Sequence, residues 1–153
     1  MIPVDLSTNT LLAGISAPNV NAFCGHPSQP LVYASSDGTG RVVEINTSTN
    51  AATARSFPVT GGHVQQCAVS ADGSAIYIRV EDADLFVYDL TTGAQRPTIV
   101  GGGGFGAAMT ADGTQLWVAS RATVKIIDLA LGTIRRAAAG RAWAWPPRPS
   151  ARR

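Results

Sequence analysis

The sequence predicts an all-β fold of repeated four-stranded antiparallel units, on three observations. One turn recurs four times: Val4-Asp5-Leu6-Ser7-Thr8-Asn9, Ile45-Asn46-Thr47-Ser48-Thr49-Asn50, Tyr88-Asp89-Leu90-Thr91-Thr92-Gly93 and Ile127-Asp128-Leu129-Ala130-Leu131-Gly132, its Asp/Asn positions 41, 43 and 39 residues apart. A second block precedes the later turns, Val69-Ser70-Ala71-Asp72-Gly73 before Ile76-Tyr77-Ile78 and Met109-Thr110-Ala111-Asp112-Gly113 before Leu116-Trp117-Val118, with a divergent copy at Gly25-His26-Pro27. Thr, Ser, Val, Ile and Gly are plentiful while lysine occurs once, at Lys125, a bias of strands and turns. A period near 40 residues with strand-like flanks marks propeller blades.

The turn has a mechanism. An Asp or Asn ending a strand accepts a backbone N–H two residues on, and the fourth residue after it takes positive φ, which Gly and Asn do at least cost. Asp-Gly between apolar runs predicts a tight hairpin with both turn residues at positive φ. Four strands per unit follow, near 20–25, 30–35, 41–46 and 51–57, then 64–69, 75–80, 84–90 and 94–99, then 105–110, 115–120, 123–128 and 133–137. Two more precede them, near 2–6 and 10–15. The second strands are apolar without alternation, as strands covered on both faces are. The expected organisation is a half blade of two outer strands over 1–16, blades over 17–60, 61–100 and 101–138, and a disordered Ala/Pro/Arg tail over 139–153. Pro146, Pro147 and Pro149 cannot continue a ladder.

These blocks resemble the YVTN-type β-propeller repeat over about residues 4–137. Val69-Ser70-Ala71-Asp72-Gly73 with Ile76-Tyr77-Ile78 matches its first half, and the turns at Asn46 and Asp89 match its second. The resemblance implies a bacterial or archaeal protein, often exported to the periplasm or beyond the cell, in a family that is typically seven-bladed. Relatives include the propeller form of lactonase and the haem d1 domain of nitrite reductase. Against such a ring, three and a half blades are an incomplete arc, expected here to be part of a longer protein and to derive from a truncated or frame-shifted reading frame. Its two bare blade flanks invite self-association.

Candidate chemistry is sparse. Gly101-Gly102-Gly103-Gly104 lacks the Gly-Lys-Ser/Thr of a phosphate loop and reads as a flexible connection between blades, like Gly61-Gly62. Glu81, Asp82 and Asp84 fit no calcium-loop spacing and read as a solvated turn. Asp72 and Asp112 recur in every full copy of their block, as turns do and active sites do not. His26 reads as a turn residue. His63 lies just before an innermost strand, at the rim where propellers bind ligands, with no partner nameable from the sequence. Cys24 aligns with Ala68 and Cys67 with Phe23, one register apart. Because neighbouring strand positions face opposite sides, two buried thiols are expected. There is no haem-attachment motif and no nucleophile elbow.

Residues 1–134 carry ten acids against six bases, while the tail adds six arginines and no acid, so a nucleic-acid surface would rest on the tail alone and none is expected. The Trp143/Trp145 pair falls in the same tail. No apolar run approaches the ~20 residues of a membrane helix. The expectation is a non-catalytic binding or scaffold module without metal or cofactor, meeting a protein or small-molecule ligand through rim loops that contain His63, Gln65 and Phe105. The alternative, implied by the resemblance, is a piece of a lactonase-like hydrolase.

Overall fold

The computed structural model describes residues 1–17, 19–81, 83–104, 106–119 and 123–139, with backbone alone at 38 and 135–139. The described chain is almost entirely strand. The half blade pairs β1 (Val4–Asp5) with β2 (Thr10–Leu11). The first full blade holds β3 (Val20–Gly25), β4 (Leu31–Ser36), β5 (Arg41–Asn46) and β6 (Ala51–Pro58). The second holds β7 (Val64–Val69), β8 (Ala75–Val80), β9 (Leu85–Asp89) and β10 (Gln95–Ile99). The third holds β11 (Gly106–Met109), β12 (Gln115–Ala119), β13 (Thr123–Asp128) and β14 (Thr133–Ala139). Each full blade is an antiparallel meander with its strands in chain order. The result is an incomplete ring of propeller-like blades. The strands of the full blades lie within two residues of the expected bounds, whereas those of the half blade are shorter than expected.

The repeated turns form as their chemistry dictates. Oδ1 of Asp5, Asn46, Asp89 and Asp128 accepts the N–H two residues on, from Ser7 (2.8 Å), Ser48 (2.8 Å), Thr91 (2.9 Å) and Ala130 (3.1 Å). Four residues after each comes the left-handed residue: Asn9 (φ 54°), Asn50 (φ 51°), Gly93 (φ 76°) and Gly132 (φ 61°).

The Asp-Gly hairpins differ from expectation. Gly73 and Gly113 take positive φ, at 73° and 69°, but Asp72 and Asp112 do not. Gly73 N donates to Ser70 O (2.9 Å) and Ser70 N to Ala75 O (2.8 Å), so four residues rather than two span the strands. With that extra length the Asp is free to cap the loop, its Oδ1 accepting from Ser70 Oγ (2.6 Å) and Ser74 N (3.0 Å). These bonds favour the carboxylate and hold Asp72 down at about 2, the Ser70 bond contributing most.

The core lies in the seams between blades. The first–second seam packs Tyr33, Val42 and Phe57 against Val64, Cys67, Ile76, Ile78 and Tyr88. The second–third seam packs Tyr77, Leu85 and Val87 against Leu116, Val118 and Ile127. The half blade adds a small cluster of Ile15, Ala34 and Ile45. Covered on both sides, β8 is buried at every residue. β12 instead alternates, with no blade against its far face among the described residues. Aromatic residues at the same repeat position record the difference: Tyr33 is 0% exposed, Tyr77 8% and Trp117 43%.

The expectation for the cysteines is overturned. Cys24 and Cys67 form a disulfide with Cα atoms 5.6 Å apart, rather than two thiols. The one-register offset is correct, and it is the reason they meet. Cys24 pairs across its sheet with Tyr33, on the face turned toward the next blade. Cys67 pairs with Ile78, on the face turned back toward the previous blade. Adjacent blades confront each other with opposite faces, so residues of opposite parity are the ones that can touch.

Candidate functional site

The innermost strands begin, and the hairpins joining second to third strands turn, on one rim of the arc. Two features of the sequence shape this rim. A short 3-10 turn, Asp37–Thr39, ends at Gly40 in the left-handed region (φ 59°) and holds Asp37 at the hairpin tip of the first blade. Pairing in β7 slips between Val64 and Gln66, which leaves Gln65 as the extra, bulged residue, and β3 slips in the same way around Asn21. Bulges re-aim side chains at strand ends.

The re-aimed groups bridge blades or brace the rim. Asn21 Nδ2 donates to Val64 O of the next blade (3.1 Å). Gln65 Nε2 donates to Glu81 Oε2 (3.0 Å) in the hairpin after β8. His63 Nδ1 lies 2.9 Å from both carboxylate oxygens of Asp37, across the first–second seam. The His63 side chain is 70% exposed and that of Asp37 27%. The hydrogen bond to Asp37 and its negative charge favour the imidazolium and raise the His63 pKa above its usual 6.5. Glu81 adds in the same direction and slight burial opposes. In the neutral ring Nδ1–H donates to Asp37 and leaves Nε2 as the acceptor, without a partner among the described residues. The pair can donate to, accept from or exchange a proton with a ligand at the rim. No hydroxyl or thiol is hydrogen-bonded to it among the described residues.

Of the expected rim residues, His63 and Gln65 stand beside each other with one strand residue between them. Phe105 lies outside the described residues, as do Asp82, Trp143 and Trp145. The carboxylate partner of His63 was not nameable in advance. Asp37 is 26 residues away, and only blade stacking brings its hairpin to the start of the following blade. A signal did exist, since Asp37-Gly38-Thr39-Gly40 is a turn sequence between two strands.

The tetraglycine connection is a packed brace rather than a flexible link. Gly102, Gly103 and Gly104 are buried. A Cβ on Gly103 would fall 2.2 Å from Ala83 O, and one on Gly104 2.3 Å from Ala119 O. Gly101 N donates to Asp84 Oδ1 (2.8 Å) and Gly103 N to Ala83 O (3.0 Å), while Lys125 Nζ donates to the carbonyls of Gly101 (2.5 Å) and Gly103 (2.8 Å). Glu81 and Asp84 therefore serve as acceptors within the rim. His26 is a turn residue whose Nδ1 accepts from Ser28 N (3.2 Å) and Gln29 N (3.1 Å). Among the described residues no three His, Cys, Asp or Glu side chains converge on a metal position, and no helix is long and apolar enough to cross a membrane.

No family model matches the chain. No curated protein matches it either. Among 876 solved chains that resemble it is one titled Kuenenia stuttgartiensis hydrazine synthase, 17% identical, with a TM-score of 0.79. The match covers 89% of this chain and 42% of that one, so this chain spans less than half the length of that neighbour. At this identity the likeness shows the fold, and a fold shared so widely names no activity.

Proposed function

We propose that the chain is a run of YVTN-type propeller blades, divided near 17–60, 61–100 and 101–138, that acts as a non-catalytic binding or scaffold module through the rim around Asp37 and His63. The observation that carries this reading is that the rim is assembled from two blades yet, among the described residues, brings no nucleophile to the imidazole. It presents donors and acceptors, as a recognition surface does. The repeated turns with their left-handed fourth residues support the repeat family. The exposed flank at Trp117 supports association with further propeller surface, including a second copy of the chain. The ligand is a protein segment or small molecule able to pair with an imidazole beside carboxylates.

The test is a fragment and peptide library screened by chemical-shift perturbation. Binders are expected to shift the resonances of His63 and Gln65 and to lose affinity in Asp37→Asn. Ligands that map only to the opposite rim, near Asp72 and Asp112, would overturn it. One observation favours the lactonase-like alternative, namely that an Asp-oriented imidazole with an open Nε2 is a competent general base. Turnover of a lactone panel that disappears in His63→Ala would establish that reading in place of ours.

A further inference from the structure

Both cysteines and both histidines of the chain engage a single seam. Cys24 and Cys67 join β3 to β7 covalently in its middle. At one end His63 of the second blade meets Asp37 of the first. At the other end His26 of the first blade reaches Gly73 O of the second (3.2 Å); its Nδ1 is already an acceptor, so Nε2 carries the proton and donates. The second–third seam has no such set among the described residues. Its polar links include backbone donors, Ala107 N to Gln66 Oε1 (2.9 Å), Gly101 N to Asp84 Oδ1 (2.8 Å) and Gly103 N to Ala83 O (3.0 Å).

We propose that this seam is a redox-set joint: the closed Cys24–Cys67 bond holds the two halves of the rim pair, Asp37 and His63, in register, and reduction to two thiols releases them. The rim reading supplies the use of the site, while the joint itself stands on the placement of these residues. A dithiol reductant attacks Sγ of Cys24, the less buried of the two residues, and Cys67, 4% exposed, leaves as the thiolate. The second thiol of the reductant then resolves the mixed disulfide. The Sγ–Sγ bond breaks, two electrons and two protons pass to the protein, and the reductant ends as a disulfide. The joint is therefore closed in an oxidising compartment and open in a thiol-rich one.

Among the described residues the charged groups facing His63 are Asp37 and Glu81, so its titration reads the joint directly. With only two histidines, proton NMR resolves both titrations. In the oxidised protein the His63 midpoint is expected above that of Asp37→Asn. In Cys24→Ser/Cys67→Ser, with strand content intact by circular dichroism, it should fall to the Asp37→Asn value. A midpoint unchanged from the oxidised protein overturns the proposal. Should the double variant not fold, the wild type poised in dithiol buffers replaces it, read by amide exchange. Exchange is expected to speed up at least tenfold across 20–25 and 64–69 but not across 106–109 and 115–119. An equal response at both seams, or none at either, also overturns it. Because no ligand is used, failure here leaves the rim-binding reading standing, and failure of that reading leaves the joint standing.

Discussion

The two seams between full blades are cut from one repeat and reinforced differently. In the first–second seam three rings meet in series, Tyr33 edge-on to Phe57 at 5.9 Å and Phe57 tilted against Tyr88 at 5.3 Å, and the Tyr88 hydroxyl donates to Pro58 O. Glu44, nearly buried, accepts from Thr53 Oγ1 (3.0 Å) and lies 3.6 Å from Arg55, and the disulfide closes the seam. The second–third seam is mostly aliphatic, with Gly113 close against Ala71. Both seams therefore share an apolar face, and the second–third seam adds backbone amides of Ala107, Gly101 and Gly103 bonded to Gln66, Asp84 and Ala83. The covalent addition lies in the seam where Asp37 and His63 meet from separate sheets.

Four experiments break or sharpen that contrast. The largest effect is expected from Cys24→Ser/Cys67→Ser: the bond spans 43 residues of chain, and its loss should cost about 4 kcal/mol in denaturant unfolding. An unchanged midpoint would make the two seams equivalent. In the other seam Leu116→Ala should cost about 3 kcal/mol, because Leu116 is wholly buried. Its neighbour Trp117, facing the bare flank, should cost under about 0.5 kcal/mol as alanine in dilute protein. A Trp117 penalty matching that of Leu116 would mean that the flank is covered in solution. Gly103→Ala should cost about 2 kcal/mol, since its new methyl meets the Ala83 carbonyl, whereas Gly106→Ala, 4.0 Å from Ala119 Cβ, should be nearly silent.

The smallest effect is the pH dependence of the rim. A histidine whose folded pKa is raised contributes stability that is fully present below about 6.5 and is lost as pH rises through the folded value. Stability measured from pH 5.5 to 8.5 should therefore decline slightly in the wild type, and Asp37→Asn should flatten that slope. A slope identical in both would detach His63 from Asp37.

Much of the fold was legible because its signals are local. Asn9, Asn50, Gly93 and Gly132 could be assigned left-handed geometry from the Asp or Asn four residues earlier. The Asp-Gly blocks mark the hairpins but not their loop length, since the Ser70 and Ala75 bonds that define it depend on where strand pairing stops. The candidate site was half legible. His63 was placed at the rim by its position before a strand. Gln65 owes its direction to a bulge that no residue type announced.

What the sequence by itself determined is the repeat: strand, turn and period follow from contacts within a few residues, where side-chain chemistry and φ preference decide. What only the tertiary structure decided is which blade face meets which, and hence that Cys24 bonds Cys67, that Asp37 orients His63, and that glycines 102–104 are required for space. Alternation along a strand assigns each residue a side. The neighbour on that side comes from stacking sheets, whose partners lie 26 and 43 residues apart.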